Sequence, residues 1–80
     1  MLNFDQLSNL KIGDVIYEED RHEGEIKGIV KTLPEITEST IDGIKISQVS
    51  FYAEVENRIV QVLVTKGWSW GTPRLYRKSS

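Results

Sequence analysis

The sequence predicts a mainly β domain, a small partly closed barrel of about five antiparallel strands with a short N-terminal helical turn. Three observations predict it. β-branched and aromatic residues come in short blocks between Ile12 and Tyr76, the composition that fits a pleated, half-buried surface. Turn-forming pairs separate the blocks: Gly13-Asp14, Asp42-Gly43 and Glu56-Asn57. The chain has 80 residues, a single small domain over 1–80 and too little for two full sheets. One sheet curled over its own core leaves few open edges.

The elements follow in order. Asn3 to Leu10 reads as one helical turn, with Asn3 and Gln6 spaced for a capping box and Phe4 and Leu7 on one face. A turn this short is stable only when docked. Ile12 to Glu18 reads as the first strand. Glu18 to Gly24 is too charged to bury and reads as a connection. Glu25 to Lys31 is the second strand, in which Gly28 marks a bulge, a bend or a close backbone approach. Pro34 argues against a central strand in the stretch from Leu33 to Gly43. Ile44 to Val55 is one long strand whose apolar parity changes, Ile44 and Ile46 on one side and Val49 to Val55 on the other. A bulge near Ser47-Gln48 would reconcile the two. After the Glu56-Asn57 turn, Ile59 to Thr65 is nearly all apolar and reads as the most central strand, covered on both faces. Gly67 and Gly71 bracket a loop carrying Trp68 and Trp70, and Arg74 to Arg77 forms a last edge strand with Leu75 in the core.

Leu7 to Ile16, where Gly13-Asp14 turns the chain into an apolar run, and Gly71 to Tyr76, with its Gly and Pro-x-x-Tyr, resemble segments of SH3-type small barrels. Together they cover 10 + 6 = 16 of the 80 residues. Gly24 to Val30 is similar to the second strand of Tudor-like and ribosomal-type SH3-like barrels. The resemblance implies an SH3-like fold. It implies no function, because that superfold serves many. The paired tryptophan before the third strand of a signalling SH3 domain is absent, so a groove for proline-rich peptides is not implied.

Charge divides by position. Residues 1–56 hold five Lys/Arg and twelve Asp/Glu, 5 − 12 = −7, and residues 57–80 hold five Lys/Arg and no acid, +5. A dedicated nucleic-acid binder is usually basic overall, and this chain sums to −2. There is no cysteine, which removes disulfides and thiolate metal sites and fits a cytoplasmic location. No apolar run is long enough to span a membrane, and the N-terminal residues lack the pattern of a signal peptide. With one histidine and no phosphate-cradling glycine loop, no nucleophile–base pair assembles, so the expectation is a protein that is not an enzyme and uses no cofactor or metal. Asp14 is read as a turn residue bonded to nearby backbone amides. The acidic run Glu18 to Glu25 around His22 lacks cation-loop spacing and reads as a solvated hairpin tip.

The candidate binding residues are Lys66, Trp68, Trp70, Arg74, Tyr76 and Arg77. Alternate indoles on an extended segment share a side, and the arginines beside them supply cation–π and anion contacts. Aromatic residues and arginine are also the usual anchors of protein interfaces. In a domain this small the indoles serve equally well as core, and one is expected to be buried and the other partly exposed. The basic residues can equally be a solvated edge or pair with the acidic half. The first functional expectation is a protein-binding module, a free-standing accessory or inhibitor protein of bacterial or phage type, whose partner is another protein. Nucleic-acid or nucleotide binding through the same face is the second. Self-association into a homo-oligomer through the charge split is the third.

Overall fold

The chain enters the fold through a capped helical turn. The computed structural model describes residues 1–20, 22–67 and 74–78. α1 covers Phe4–Ser8. The Asn3 side chain accepts from the Gln6 amide at 2.8 Å, and the Gln6 side chain accepts from the Asn3 amide at 2.9 Å. Two of the four donors that a helix start leaves unpaired are thereby satisfied. The turn docks by burying Leu7, and Leu10 just beyond it is equally buried.

Six strand segments follow among the described residues: β1 (Val15–Asp20), β2 (Gly24–Val30), β3 (Glu35–Ile41), β4 (Ile44–Val55), β5 (Arg58–Thr65) and β6 (Leu75–Tyr76). All pairings are antiparallel. β4 organises the sheet. β5 runs along one edge from Gln48 to Val55, while the other edge carries β3 opposite Ile44–Ser50 and β2 opposite Ala53 and Glu54. β2 and β3 are thus consecutive parts of one bent strand, and the six segments occupy five positions in a curled half-barrel. β1 pairs with β2, and β6 returns to lie beside β1.

The bend lies at Thr32–Pro34. Lys31 still donates to the Tyr52 carbonyl at 2.8 Å, and pairing resumes at Glu35 opposite Ser50. Three residues therefore face Phe51 alone. The Thr32 hydroxyl accepts from the Tyr52 amide at 2.9 Å and so replaces the ladder bond lost at the bend. The bulge expected at Ser47-Gln48 does not exist, because β4 keeps unbroken register with both neighbours there. Ile44 and Ile46 lie on the outer face of a projecting hairpin, which removes the need for a slip.

The concave face holds the core. Ile16, Val30, Val49, Phe51, Val64 and Leu75 are all buried on it. Each such side chain contributes about 1.5–3 kcal/mol by leaving water. Leu7 and Leu10 join this same cluster from the helical turn. Gly28 belongs to the same face. A Cβ there would meet the side chains of Val55 at 3.4 Å, Ala53 at 3.6 Å and Ile16 at 3.7 Å, ordinary contact distances, and the register with β1 is unbroken, so the bulge or close backbone approach read from the sequence is not what places the glycine here.

Three further expectations change. Ile12 is not strand but part of the Lys11–Asp14 turn, 61% exposed. Glu18 to Asp20 are strand, and His22 and Glu23 form the turn before β2. Nor is β5 the covered central strand. Among the described residues it pairs with β4 alone, and Ile59 and Leu63 on its outer face are 59% and 48% exposed. A continuous apolar run reads as two-sided burial in sequence, yet no second layer covers this face among the described residues.

Candidate functional site

The basic C-terminal segment is drawn onto the acidic half of the same chain. Because β6 pairs Tyr76 with Tyr17, the two rings stack with centroids 5.8 Å apart and planes 26° from parallel. The Tyr76 hydroxyl donates to Glu25 Oε2 at 2.7 Å, and Lys78 bonds the other Glu25 oxygen. The Lys78 ammonium also sits 4.7 Å from the Tyr17 ring centroid. Arg77 donates to Asp14 Oδ2 at 3.1 Å, the oxygen that also accepts from the Lys11 amide at 2.8 Å. Asp14 thereby fixes the turn into β1, as the sequence suggested, and clamps the C-terminal strand.

These contacts set the charge states. The Lys78 hydrogen bond, then that of Tyr76, holds the Glu25 carboxyl below its ordinary value. Donating to Glu25 pushes the Tyr76 phenol up to about 12, and the same carboxylate raises Lys78. Asp20 is lowered by the backbone amides of His22 and Glu23, which its carboxylate receives at 2.7 and 3.2 Å. The acidic tip therefore uses one carboxylate to shape its own turn. Among the described residues no group of three or more His, Asp or Glu is placed to hold a metal.

Of the six residues singled out in sequence, Tyr76 and Arg77 come together in this clasp. Arg74 is exposed beside it, and its carbonyl accepts from Glu19 at 3.4 Å. Lys66 lies apart, its ammonium 5.5 Å from the Phe4 ring centroid. Trp68 and Trp70 lie outside the described residues, as does the question of which is buried.

The same convex face, away from the clasp and toward β4 and β5, presents an apolar surface that the sequence reading missed. Register places Val15, Ile29, Glu54 and Ile59 in one row across four strands, then Tyr52 beside Gln61, then Ser50 beside Leu63. Further along, Ile46 and the Ile41–Ile44 pair lie on the same side of the β3–β4 hairpin. Tyr52 is 45% exposed and Ile44 66%. Among the described residues this face carries the ion pair of Lys31 with Glu54 at 3.9 Å and, at its β1–β2 end, that of Lys78 with Glu25. The even-numbered parity of Ile44, Ile46 and Tyr52, opposite to Val49, Phe51 and Ala53, was the available signal. In sequence such a parity change reads as a slip of register; the pairing shows it to be a second apolar face.

A cleft of about 470 Å³ opens at the mouth of the half-barrel, between Ile26, Val60, Val62 and Leu75. Its lining is mostly apolar, with Glu18 and Gln61 as its polar members. No helix of the described residues is long and apolar enough to cross a membrane. Comparison with protein-family models, curated proteins and solved structures finds no match to this chain.

Proposed function

We propose that this protein is a non-enzymatic protein-binding module that docks through the convex face of β4 and β5. The carrying observation is the exposed group of Tyr52, Ile59 and Leu63 on one continuous sheet surface. Contiguous exposed apolar surface of this kind marks interaction sites. The total area agrees. The chain exposes 6127 Å² at a mass of 9.2 kDa, about a quarter more than the roughly 4,900 Å² of a compact monomer that size. The excess is of the order that one partner buries in a standard interface, about 800 Å².

Nucleic-acid binding has less support, because Arg77 and Lys78 already pair with Asp14 and Glu25. The same pairs satisfy within one molecule part of the charge that self-association would use. The fold is read as SH3-like. The Lys11–Asp14 turn leading into β1 and the return of Leu75–Tyr76 beside β1 support that reading.

The test is affinity capture from a native lysate with wild type, Tyr52→Ser/Leu63→Ser and Arg74→Ala, each checked for folding. A specific protein held by wild type and lost by the folded double variant supports the proposal. A parallel Trp68→Ala/Trp70→Ala variant assigns the contact to the C-terminal surface if it alone loses that protein. Capture of nucleic acid that disappears with Arg74→Ala overturns the reading.

A further inference from the structure

β3 defines the form of partner the module can take. Every residue from Glu35 to Ile41 is exposed, yet the segment is regular strand. Its residues explain why: Ile36, Thr37, Thr40 and Ile41 are β-branched, and β4 templates them in unbroken register. Among the described residues β3 pairs with β4 alone.

The hairpin turn fixes which backbone groups point outward. A two-residue turn at Asp42-Gly43 makes Ile41 and Ile44 a hydrogen-bonded pair, and bonded and non-bonded pairs then alternate. Glu35, Thr37, Ser39 and Ile41 therefore turn their N–H and C=O groups toward β4. Ile36, Glu38 and Thr40 turn theirs away from it. Three donors and three acceptors at a spacing of ~6.8 Å form a row that an extended backbone complements.

Open edges are ordinarily blocked by lysine, proline or a bulge. From Ile36 to Ile41 β3 has no lysine or proline, and its register is unbroken. Its charge is acidic instead. Over the paired residues 35–50, Glu35, Glu38 and Asp42 against Lys45 give 1 − 3 = −2. Lys45 reaches Glu38 at 3.3 Å, but the two side chains are 71% and 57% exposed, and a pair so solvated yields readily to another cation.

We propose that β3 accepts an extended basic segment of another protein as an added strand, with Lys or Arg opposite Glu38 and an apolar residue opposite Ile36. This rests on the protein-binding reading above and names the partner's form. A second copy of β3 fits poorly, since it brings the acidic residues of two edges together.

The probes are two capped heptapeptides with valine two residues to either side of the central position and threonine elsewhere, one with lysine and one with glutamate at the centre, so that the charge falls opposite Glu38 when valine falls opposite Ile36. Amide hydrogen exchange by NMR reads the Ile36, Glu38 and Thr40 amides. At ten times its Kd the lysine peptide slows exchange at those three amides roughly tenfold, and the glutamate peptide does so far less. Glu38→Lys reverses that preference. Thr40→Pro removes one outward donor and no bond to β4, and weakens binding while core amides such as those of Val49 and Phe51 stay protected. Should proline disturb the core amides, the charge reversal carries the test alone. Equal action by both peptides, or no protection by either, overturns the proposal. Protection without peptide that grows with protein concentration also overturns it, because the occupant is then a second copy. If lysate capture still fails in Tyr52→Ser/Leu63→Ser while the lysine peptide does not bind, this proposal falls and the convex docking face stands.

Discussion

Single residues show how closely the fold uses its backbone. Glu56 and Asn57 form the β4–β5 turn at φ of 50° and 65°, in the left-handed region. Asparagine tolerates that region, whereas a glutamate there costs about 1–2 kcal/mol. Asp42 and Gly43 solve the same problem at 53° and 78° with residues suited to it. Changing Glu56→Asn with Asn57→Gly is expected to raise unfolding free energy by about 1 kcal/mol. Urea denaturation measures this, and an unchanged or lower midpoint refutes the turn assignment. Gly28 makes the opposite case. Its missing Cβ leaves ordinary contact distances, so Gly28→Ala is expected to be neutral or to stabilise by about 0.4–1 kcal/mol through the unfolded chain. Gly28→Leu would overpack Ile16, Ala53 and Val55 and cost about 1–3 kcal/mol. Equal destabilisation by both variants would show that the backbone there needs glycine for itself.

At the scale of elements, the two termini are fastened by different means. α1 depends on its cap, and Asn3→Ala is expected to lower stability by about 1 kcal/mol, read from the same urea curves. β6 is only two residues long and depends on its clasp. Glu25 has its folded pKa below the ordinary 4.5, so its contribution is complete above that value and is lost as pH falls through the folded one. Tyr76, at about 12, and Lys78, above its ordinary 10.5, contribute fully below pH 10 and lose that contribution as pH rises through their folded values. The Tyr17–Tyr76 ring signals are expected to hold steady between these limits and to shift on acidification before the Phe51 signal does. Simultaneous movement of all three would show that β6 has no independent clasp. The elements also show where sequence patterns mislead. An apolar parity change in β4 has two readings, a bulge or a hairpin leaving the core, and only pairing partners distinguish them. The actual bend, at Thr32–Pro34, coincides with the proline.

The whole molecule is less compact than its size requires. Its radius of gyration is 12.9 Å, against about 11–12 Å for a compact chain of this length. The β3–β4 hairpin contributes to the 40 Å long axis. Tyr52→Ser/Leu63→Ser is expected to change stability by only about 0.5 kcal/mol per site, since these side chains are already near half exposed. A loss of several kcal/mol in that variant would mean the convex face supports the fold itself.

Much of the architecture is local chemistry, and the sequence by itself determined it. The Asn3–Gln6 box, the Asp42-Gly43 and Glu56-Asn57 turns, the bounds of β4 and the burial of Leu75 depend on short-range backbone preferences and hydrophobic alternation. The tertiary structure alone decided the rest. Whether β5 is central depends on which strands lie beside it, and whether an isoleucine is core depends on a layer that can be present or absent. The C-terminal charges could have met a partner or the protein's own carboxylates. Antiparallel return of β6 to β1 brings Tyr76, Arg77 and Lys78 to Glu25 and Asp14, residues more than fifty positions away in the chain. Contacts at that separation carry no local signature, because chain closure and not neighbouring residues brings them together.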